Sequence, residues 1–492
     1  MPAIKRRTLG RREFLKRAVL GAVGGMAELR GISYTRLGKG PQPNVLLIIT
    51  DDLRPQLGCY GQNQMATPHI DRLASGGLVF DRSYCQQALC APSRASLLSG
   101  LRPESTGVHD LKTSLSETLP RHVSLPKHFR RYGYETVSVG KVFHNPADNI
   151  DSWSREPFTV NEKIYATPQN QAQEPFASPV EAADVPDQQY RDGIVCERAI
   201  AELRRLKDRP FFLAVGFSKP HLPFAVPRKY WNLYDPKKIA LPENIRPPAG
   251  IPDFSLGVSG EIRSYRDVPR GDTPLPPDLA RRLIHGYYAC VSFLDAQVGR
   301  VLDELDRLGL REKTVIVLWG DNGWKLGERG GWGKNTLSEL DLRVPLIVDA
   351  PGMKTAGKHS RALVEAVDLY PSLCEWCDLP LPRQSMEGLS LAPLLENPER
   401  KWKQAAFGQC VRHLGGGSPL IKYMGYSLRT ERYRYNQWIQ KSDGTVVGRE
   451  LYDLERDPGE NVSLVNDPSH ASLVRELETL MRDGWREGQR DF

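Results

Sequence analysis

Asn44-Val45-Leu46-Leu47-Ile48-Ile49-Thr50, halted by Asp51-Asp52, decides the fold. An unbroken apolar run has no polar face, so both sides of the strand are expected to meet protein rather than water. That is the pattern of a parallel strand buried between helical layers. The pattern recurs outward along the chain. Residues 136–140 form a short strand that leads into Lys141 and His144. Residues 211–217 lead into Lys219-Pro220-His221, residues 314–319 into Gly320-Asp321-Asn322-Gly323, and residues 344–348 add one more strand. Helical stretches lie between them. Residues 194–206 read as one helix, and apolar positions from Leu283 to Leu305 recur at three- and four-residue steps until Gly309 closes the helix. Strand–helix alternation of this kind predicts an α/β fold with a large, mostly parallel sheet flanked by helices.

Beyond about residue 395 the pattern changes. Residues 423–438 and 450–453 read as antiparallel strands, and residues 471–484 as a closing helix. The chain of 492 residues exceeds one ordinary core. A main domain over 43–395 and a smaller C-terminal α+β subdomain over 396–492 are therefore expected. Residues 145–186 and 222–277 are rich in Pro, Asn and Asp with little periodicity, and long loops of this type are usually functional or disordered.

Four of these strands deliver polar residues just past their carboxyl ends, the edge where open α/β sheets bind ligands. If Asp51, Asp52 and Asp321 meet there, they repel: two unit charges 4 Å apart cost roughly 4 kcal/mol at an effective dielectric near 20. A cation would relieve this. With Asn322 the candidate ligands are all hard oxygens, which suits Ca²⁺ or Mg²⁺ better than Zn²⁺. The cations Arg94, Lys141 and Lys334, with His144 and His221, would then stabilise an anion, since preorganised donors are usually the largest catalytic term. A histidine can also protonate a leaving group.

A second stretch, Cys90-Ala91-Pro92-Ser93-Arg94-Ala95-Ser96-Leu97-Leu98-Ser99-Gly100, reads as a short helix that begins at a cysteine and stops at Gly100. Cys90 would sit at the positive end of that helix, where anions gather. Cys-x-Pro-Ser-Arg-x-x-x-Leu-Ser-Gly-x-Arg, from Cys90 to Arg102, resembles the signature of the type I sulfatases. The motifs Gly140-Lys141-x-x-His144, Lys219-Pro220-His221 and Gly320-Asp321-Asn322-Gly323 resemble that family too. Residues 44–61, 138–144, 211–223, 323–334 and 425–430 are similar to its iduronate-2-sulfatase branch. Asn322 departs from the histidine of the animal enzymes.

The resemblance implies an alkaline-phosphatase/sulfatase-like fold and a sulfuric ester hydrolase. It implies that a maturation enzyme oxidises Cys90 to formylglycine (3-oxoalanine). The aldehyde hydrate at residue 90 would attack sulfur and form a covalent sulfate ester. Its second hydroxyl would then expel sulfate. It further implies one Ca²⁺ ion held by Asp51, Asp52, Asp321, Asn322 and the modified residue 90, with Arg94, Lys141, His144, His221 and Lys334 as catalytic cations and acids. The expected substrate is a sulfated sugar, in an acidic polysaccharide or oligosaccharide. Trp324, Trp332 and Arg343 are expected to line its pocket. A phosphodiester or phosphonate monoester hydrolase of the same superfamily is the alternative, as is a lectin-like binder that lacks the modification.

Composition narrows the partners. The net charge of +8 and a pI near 9.0 favour acidic ones. No basic run interleaved with aromatics occurs past the first residues, which argues against nucleic acid. The eight cysteines keep no disulfide rhythm, and Cys374-Glu375-Trp376-Cys377 has no second pair to complete a zinc site. Arg11-Arg12-Glu13-Phe14-Leu15-Lys16 and the apolar residues 18–27 resemble a twin-arginine export signal within residues 1–30, too short to span a bilayer. A periplasmic or extracellular location, with no integral membrane segment, is the expectation.

Overall fold

The computed structural model describes residues 42–489 except 258–259, 272–273, 415–417 and 419. The expected export signal lies outside the described residues. Eight strands make the main sheet: β1 (Asn44–Asp51), β2 (Leu78–Tyr84), β3 (Glu135–Gly140), β4 (Phe211–Pro220), β5 (Thr314–Gly320), β6 (Arg343–Val344), β7 (Leu346–Asp349) and β8 (Lys358–Glu365). Their order is β6–β2–β7–β5–β1–β4–β3, with β8 also on β2. Strands β3, β4, β1 and β5 run parallel.

The sheet is mixed rather than mostly parallel at its other end. Strand β7 is antiparallel to both β5 and β2, and β6 is antiparallel to β2. The reason is local. A parallel neighbour needs a crossover, usually a helix, to carry the chain back to the starting edge. Residues 321–342 make no such crossover. They stay at the edge where β5 ends, fold into a two-stranded ribbon (Lys325–Leu326 with Trp332–Gly333), and re-enter the sheet from there.

Side chains of β1 alternate between two cores, as the period of a strand requires. Leu46 and Ile48 join Val137, Leu213 and Ile316 on one face. Val45, Leu47 and Ile49 join Phe212, Val315 and Trp319 on the other. The first face is covered by α2 (Arg191–Leu206) and α3 (Pro277–Arg307), and the second by α1 (Cys90–Ser99) and α4 (Leu369–Trp376). Both faces of β1 are thus sealed, as its unbroken apolar run demands.

A second, antiparallel sheet follows in the order β9 (Ala406–His413), β10 (Ile421–Arg429), β11 (Tyr433–Gln440) and β12 (Val446–Asp453), and helix α5 (Ala471–Asp483) comes after it. Strand β9 has no clean apolar alternation and is invisible to the sequence reading. A bridge between Gln409 and Gln87, which lies between β2 and α1, ties it to the rest of the chain. No helix among the described residues is long and apolar enough to cross a membrane.

Candidate active site

The carboxyl ends of the parallel strands meet at one edge, and the polar residues predicted there come together. In a regular strand Asp51 and Asp52 would face opposite ways. Asp52 instead adopts φ 63°, a left-handed conformation rare outside glycine. One oxygen each of Asp51, Asp52 and Asp321 consequently lie within 4.8 Å of one another. The Asp52 amide donates to Asp321 Oδ1 at 3.1 Å, and the Asp321 amide donates to the Thr50 carbonyl.

Lys141 is delivered by a close approach of β3 to β4. Gly140 has φ 78°, and a Cβ there would collide with the Gly216 carbonyl. The bare glycine lets the Lys141 amide donate to that carbonyl at 2.8 Å. The Lys141 ammonium then reaches Asp51 Oδ2 at 2.5 Å.

Helix α1 begins at Cys90, after extended Leu89, and ends against left-handed Gly100. All ten of its residues are buried. Cys90 Sγ lies 3.3 Å from Asp51 Oδ1 and accepts from Lys334 Nζ at 3.1 Å. Burial, with the Asp51 charge behind it, pushes the thiol far above its usual range, so Cys90 is a neutral thiol. One turn on, the fully buried Arg94 donates from Nε to Asp321 Oδ2 at 2.8 Å and from Nη1 to the carbonyls of Lys141 and Val142. Ser93 Oγ donates to the Asp321 carbonyl.

The charges offset one another. Burial alone would raise Asp51, but Lys141, His221, Arg94 and Lys334 together hold it well below the usual carboxylate range. Lys334 Nζ also reaches Asp52 Oδ1 at 2.5 Å. Burial raises Asp52 despite that contact and raises Asp321 to about 6. The repulsion expected among three aspartates is therefore met by three fixed cations. What those cations leave over is oxygen: Asp52 Oδ2 and Asn322 Oδ1 are buried without a hydrogen-bond partner. Asn322 Nδ2 donates to Asp52 Oδ1 at 2.6 Å, which keeps the amide in the group. Unpartnered buried oxygens beside carboxylates suit a hard cation.

The histidines differ. His221 Nδ1 lies 2.8 Å from the Leu222 carbonyl, which fixes a proton on that nitrogen. Its Nε2 faces Asp52 Oδ2 at 3.8 Å and Glu261 Oε1 at 3.4 Å. Lys219 turns away and donates to the Pro223 and His221 carbonyls, shaping that turn. Burial, then the Lys141 charge, lowers His144 to about 3, so its ring is neutral across ordinary pH.

The expected pocket wall is not where the sequence reading put it. Arg343 donates to the Asp81 carbonyl and lines a separate cavity with Tyr60, His359 and Arg361. It starts the reversed strand β6, opposite Tyr84, and that carries it away from Cys90. Trp332 is buried in the core. Trp324 is buried too, and its ring lies 5.6 Å from Lys334 Nζ and 6.4 Å from the His221 ring, behind the cations.

The wall that does exist comes from the two irregular loops, the start of α2 and the end of β4. A cavity of about 250 Å³ begins at Asp51, Lys141 and His221 and continues past Tyr265 to Lys163 and Arg191. Lys163 had no signal in the sequence beyond the length of its loop, and Arg191 opens helix α2. The structure also adds Arg412 and Cys410 of β9, which grip the Asn335 carbonyl at 3.0 Å each and so hold the turn that carries Lys334.

Comparison with known proteins agrees with this geometry. The sulfatase family model matches residues 43–379, and a model of the C-terminal part of N-sulphoglucosamine sulphohydrolase matches residues 327–486. Iduronate 2-sulfatase of Mus musculus is 34% identical over 513 residues, covering 88% of this chain and 93% of the mouse protein. The Homo sapiens enzyme is 33% identical with the same coverage. Phosphonate monoester hydrolase of Agrobacterium radiobacter superposes with a TM-score of 0.76 at 24% identity, covering 91% of this chain and 96% of that one, and so shares the fold. The family match spans most of the main sheet and every residue that meets at its edge, and on that ground the chain belongs to the type I sulfatases, in their iduronate-2-sulfatase-like branch.

Proposed function

We propose that this sulfatase removes sulfate from an acidic sugar, as the relatives' names suggest, and that the edge around Cys90 is where it does so. The observation that carries the proposal is the placement of Cys90 Sγ between Lys334 and Asp51, with Lys141 and Arg94 behind them. A buried neutral thiol is a weak nucleophile and a soft partner for hard oxygen ligands. The site therefore fits an oxygen at position 90 better than sulfur. Asp51, Asp52, Asp321 and Asn322 would hold Ca²⁺, and the two unpartnered oxygens are the donors that fit it. When present, formylglycine at residue 90 supplies a nucleophilic hydroxyl and the ion polarises the sulfate oxygens.

The chain's own residues do the rest. Lys141 and Lys334 balance two carboxylates and face the same space, where they stabilise the charge of a bound sulfate. Arg94 fixes Asp321 and, through the Lys141 carbonyl, the turn that carries Lys141. The Nδ1 proton of His221 is engaged by Leu222, so Nε2 is the nitrogen that takes up a proton and delivers it to the leaving alcohol. His144, neutral, offers a ring nitrogen rather than a charge.

Residues 43–395 are the proposed catalytic domain and 396–492 a subdomain that buttresses Lys334. A maturation enzyme and export through the twin-arginine-like signal complete the reading. The test is release of inorganic sulfate from a 2-sulfated hexuronate glycoside by protein co-expressed with a maturation enzyme and loaded with calcium. Hydrolysis of a phosphonate monoester in place of any sulfate ester would favour the alternative chemistry.

A further inference from the structure

A second cavity, of about 340 Å³, collects cations and shares no lining residue with the one that begins at Asp51. Arg82, Arg343, Arg361 and Arg429 line it with only two carboxylates, Asp81 and Glu339. The four arginines come from four strands. Arg82 stands in β2, and Arg343 opens β6 opposite Tyr84. Arg429 ends β10 of the second sheet. Arg361 sits on β8 where the pairing with β2 slips between Ser360 and Leu363, and such irregularities re-aim side chains. Charge on a strand at the margin of a sheet can serve to block unwanted pairing. That role asks nothing of Arg82 and Arg429, which lie on other strands.

The two acids are already engaged. His359 Nδ1 lies 2.7 Å from Asp81 Oδ1. Glu339 accepts from the Tyr84 hydroxyl at 3.0 Å, from Arg429 Nε at 3.3 Å and from Arg434. Arg82 has the exposed Glu431 at 3.4 Å. Two guanidiniums remain. Half-buried Arg343 donates from Nε to the Asp81 carbonyl at 2.7 Å, and the exposed Arg361 side chain has no hydrogen bond or ion pair. Among the described residues no carboxylate lies within ion-pair distance of either. The wall thus holds more positive charge than its own acids offset, on planar donors whose fork matches a carboxylate or a sulfate group. Tyr60 is the only Phe, Tyr or Trp among the described residues of the wall, and its hydroxyl is held by the Leu346 backbone. That is too little aromatic surface for the base stacking that nucleic acid strands use.

We infer that this cavity is an anion site apart from the catalytic edge, which grips a sulfate or carboxylate group of an acidic polysaccharide and tethers the polymer to the enzyme. The choice of a polysaccharide rests on the sulfatase reading above. The anion site itself does not.

The test uses the full chain and four probes: dextran sulfate, neutral dextran, inorganic sulfate and a DNA duplex. Dextran sulfate should bind and neutral dextran should not. Arg361→Ala should weaken dextran sulfate binding by about threefold, and Arg343→Ala with Arg361→Ala by about tenfold or more. The slope of log affinity against log salt should become shallower by about one for each arginine removed. Lys207→Ala, an exposed lysine outside the cavity, removes the same charge and should change little. Arg361 is exposed, so its variant reads the site even if Arg343→Ala folds poorly. In Arg361→Ala, kcat/KM on a sulfated monosaccharide should equal that of the parent. Equal losses in Arg361→Ala and Lys207→Ala would reduce the effect to overall charge and overturn the site. DNA bound as tightly as dextran sulfate overturns the polysaccharide assignment, and inorganic sulfate bound as tightly as the polymer overturns the tether. If the parent releases no sulfate from any sulfated sugar, the sulfatase reading fails, and the binding comparison still decides the anion site.

Discussion

Cys90 is a thiol in surroundings that make no use of one. Two ammonium groups and a carboxylate crowd it, and burial keeps it protonated. Cys90→Ala should abolish sulfate release while the melting temperature stays near that of the parent, because the side chain lost is small and belongs to neither hydrophobic core. A variant that retains turnover would remove Cys90 from the mechanism. Asp295 gives a prediction of a different kind. It accepts from the amides of His69 and Ile70, yet burial raises it to about 7, from 3.8 when free. A folded-state pKa above the unfolded one means the native protein holds the proton more tightly. Stability from this group is full below about 4 and is lost as pH rises towards 7. Asp295→Asn should flatten that part of the plot of melting temperature against pH, and an unaltered slope would show that the carboxyl does not titrate there. At this scale the sequence is most legible where function is written locally. Cys90, Arg94, Lys141, His144, His221, Asp321 and Asn322 sit in short motifs that keep their spacing. Arg343 and Trp332 do not, because nothing in a single sequence says which way a residue near a strand end will turn.

At the scale of elements, the edge exists because β3, β4, β1 and β5 run parallel and stop together. That much follows from their apolar runs. The reversed β7 does not, since the path of residues 321–345 depends on contacts made far away. The turn carrying Lys334 is an example. Asn335 stands at φ 72° and is gripped from β9 by Cys410 and Arg412, while Thr336 donates to Asp341, which also holds Lys325 at 2.5 Å. Arg412 donates further to the Phe254 and Ser255 carbonyls and lies over the Trp438 ring. Losing this clamp should let Lys334 wander. Arg412→Ala should lower kcat by about ten- to a hundredfold, and calcium affinity should change far less, because Lys334 is not a ligand. Calcium affinity falling in step with kcat would instead point to a general loosening of the edge. Leu47, fully buried at the centre of the sheet, is a control for stability alone: Leu47→Ala should cost about 2–5 kcal/mol of unfolding free energy, measured by denaturant titration.

For the molecule as a whole, the two cores on either face of one sheet fix where four strand ends lie, and the long loops add a wall whose charge was not legible in advance. Lys163, in an irregular loop, and Arg191, at the start of α2, are 28 positions apart in sequence, and only the folded chain brings them to one cavity. The second sheet was legible as antiparallel strands, but its first strand was not, and that strand reaches the turn of Lys334. The net charge of +8 favours acidic partners in general, and the cations at the edge are fixed among its carboxylates. The central claim is that Asp51, Asp52, Asp321 and Asn322 act together as a site for one hard divalent cation beside residue 90. Calorimetric titration of calcium into the metal-free protein and its Asp321→Ala variant tests this most directly. One ion should bind the parent, and the variant should bind it at least about tenfold more weakly. Identical titration curves for the two proteins would contradict the claim.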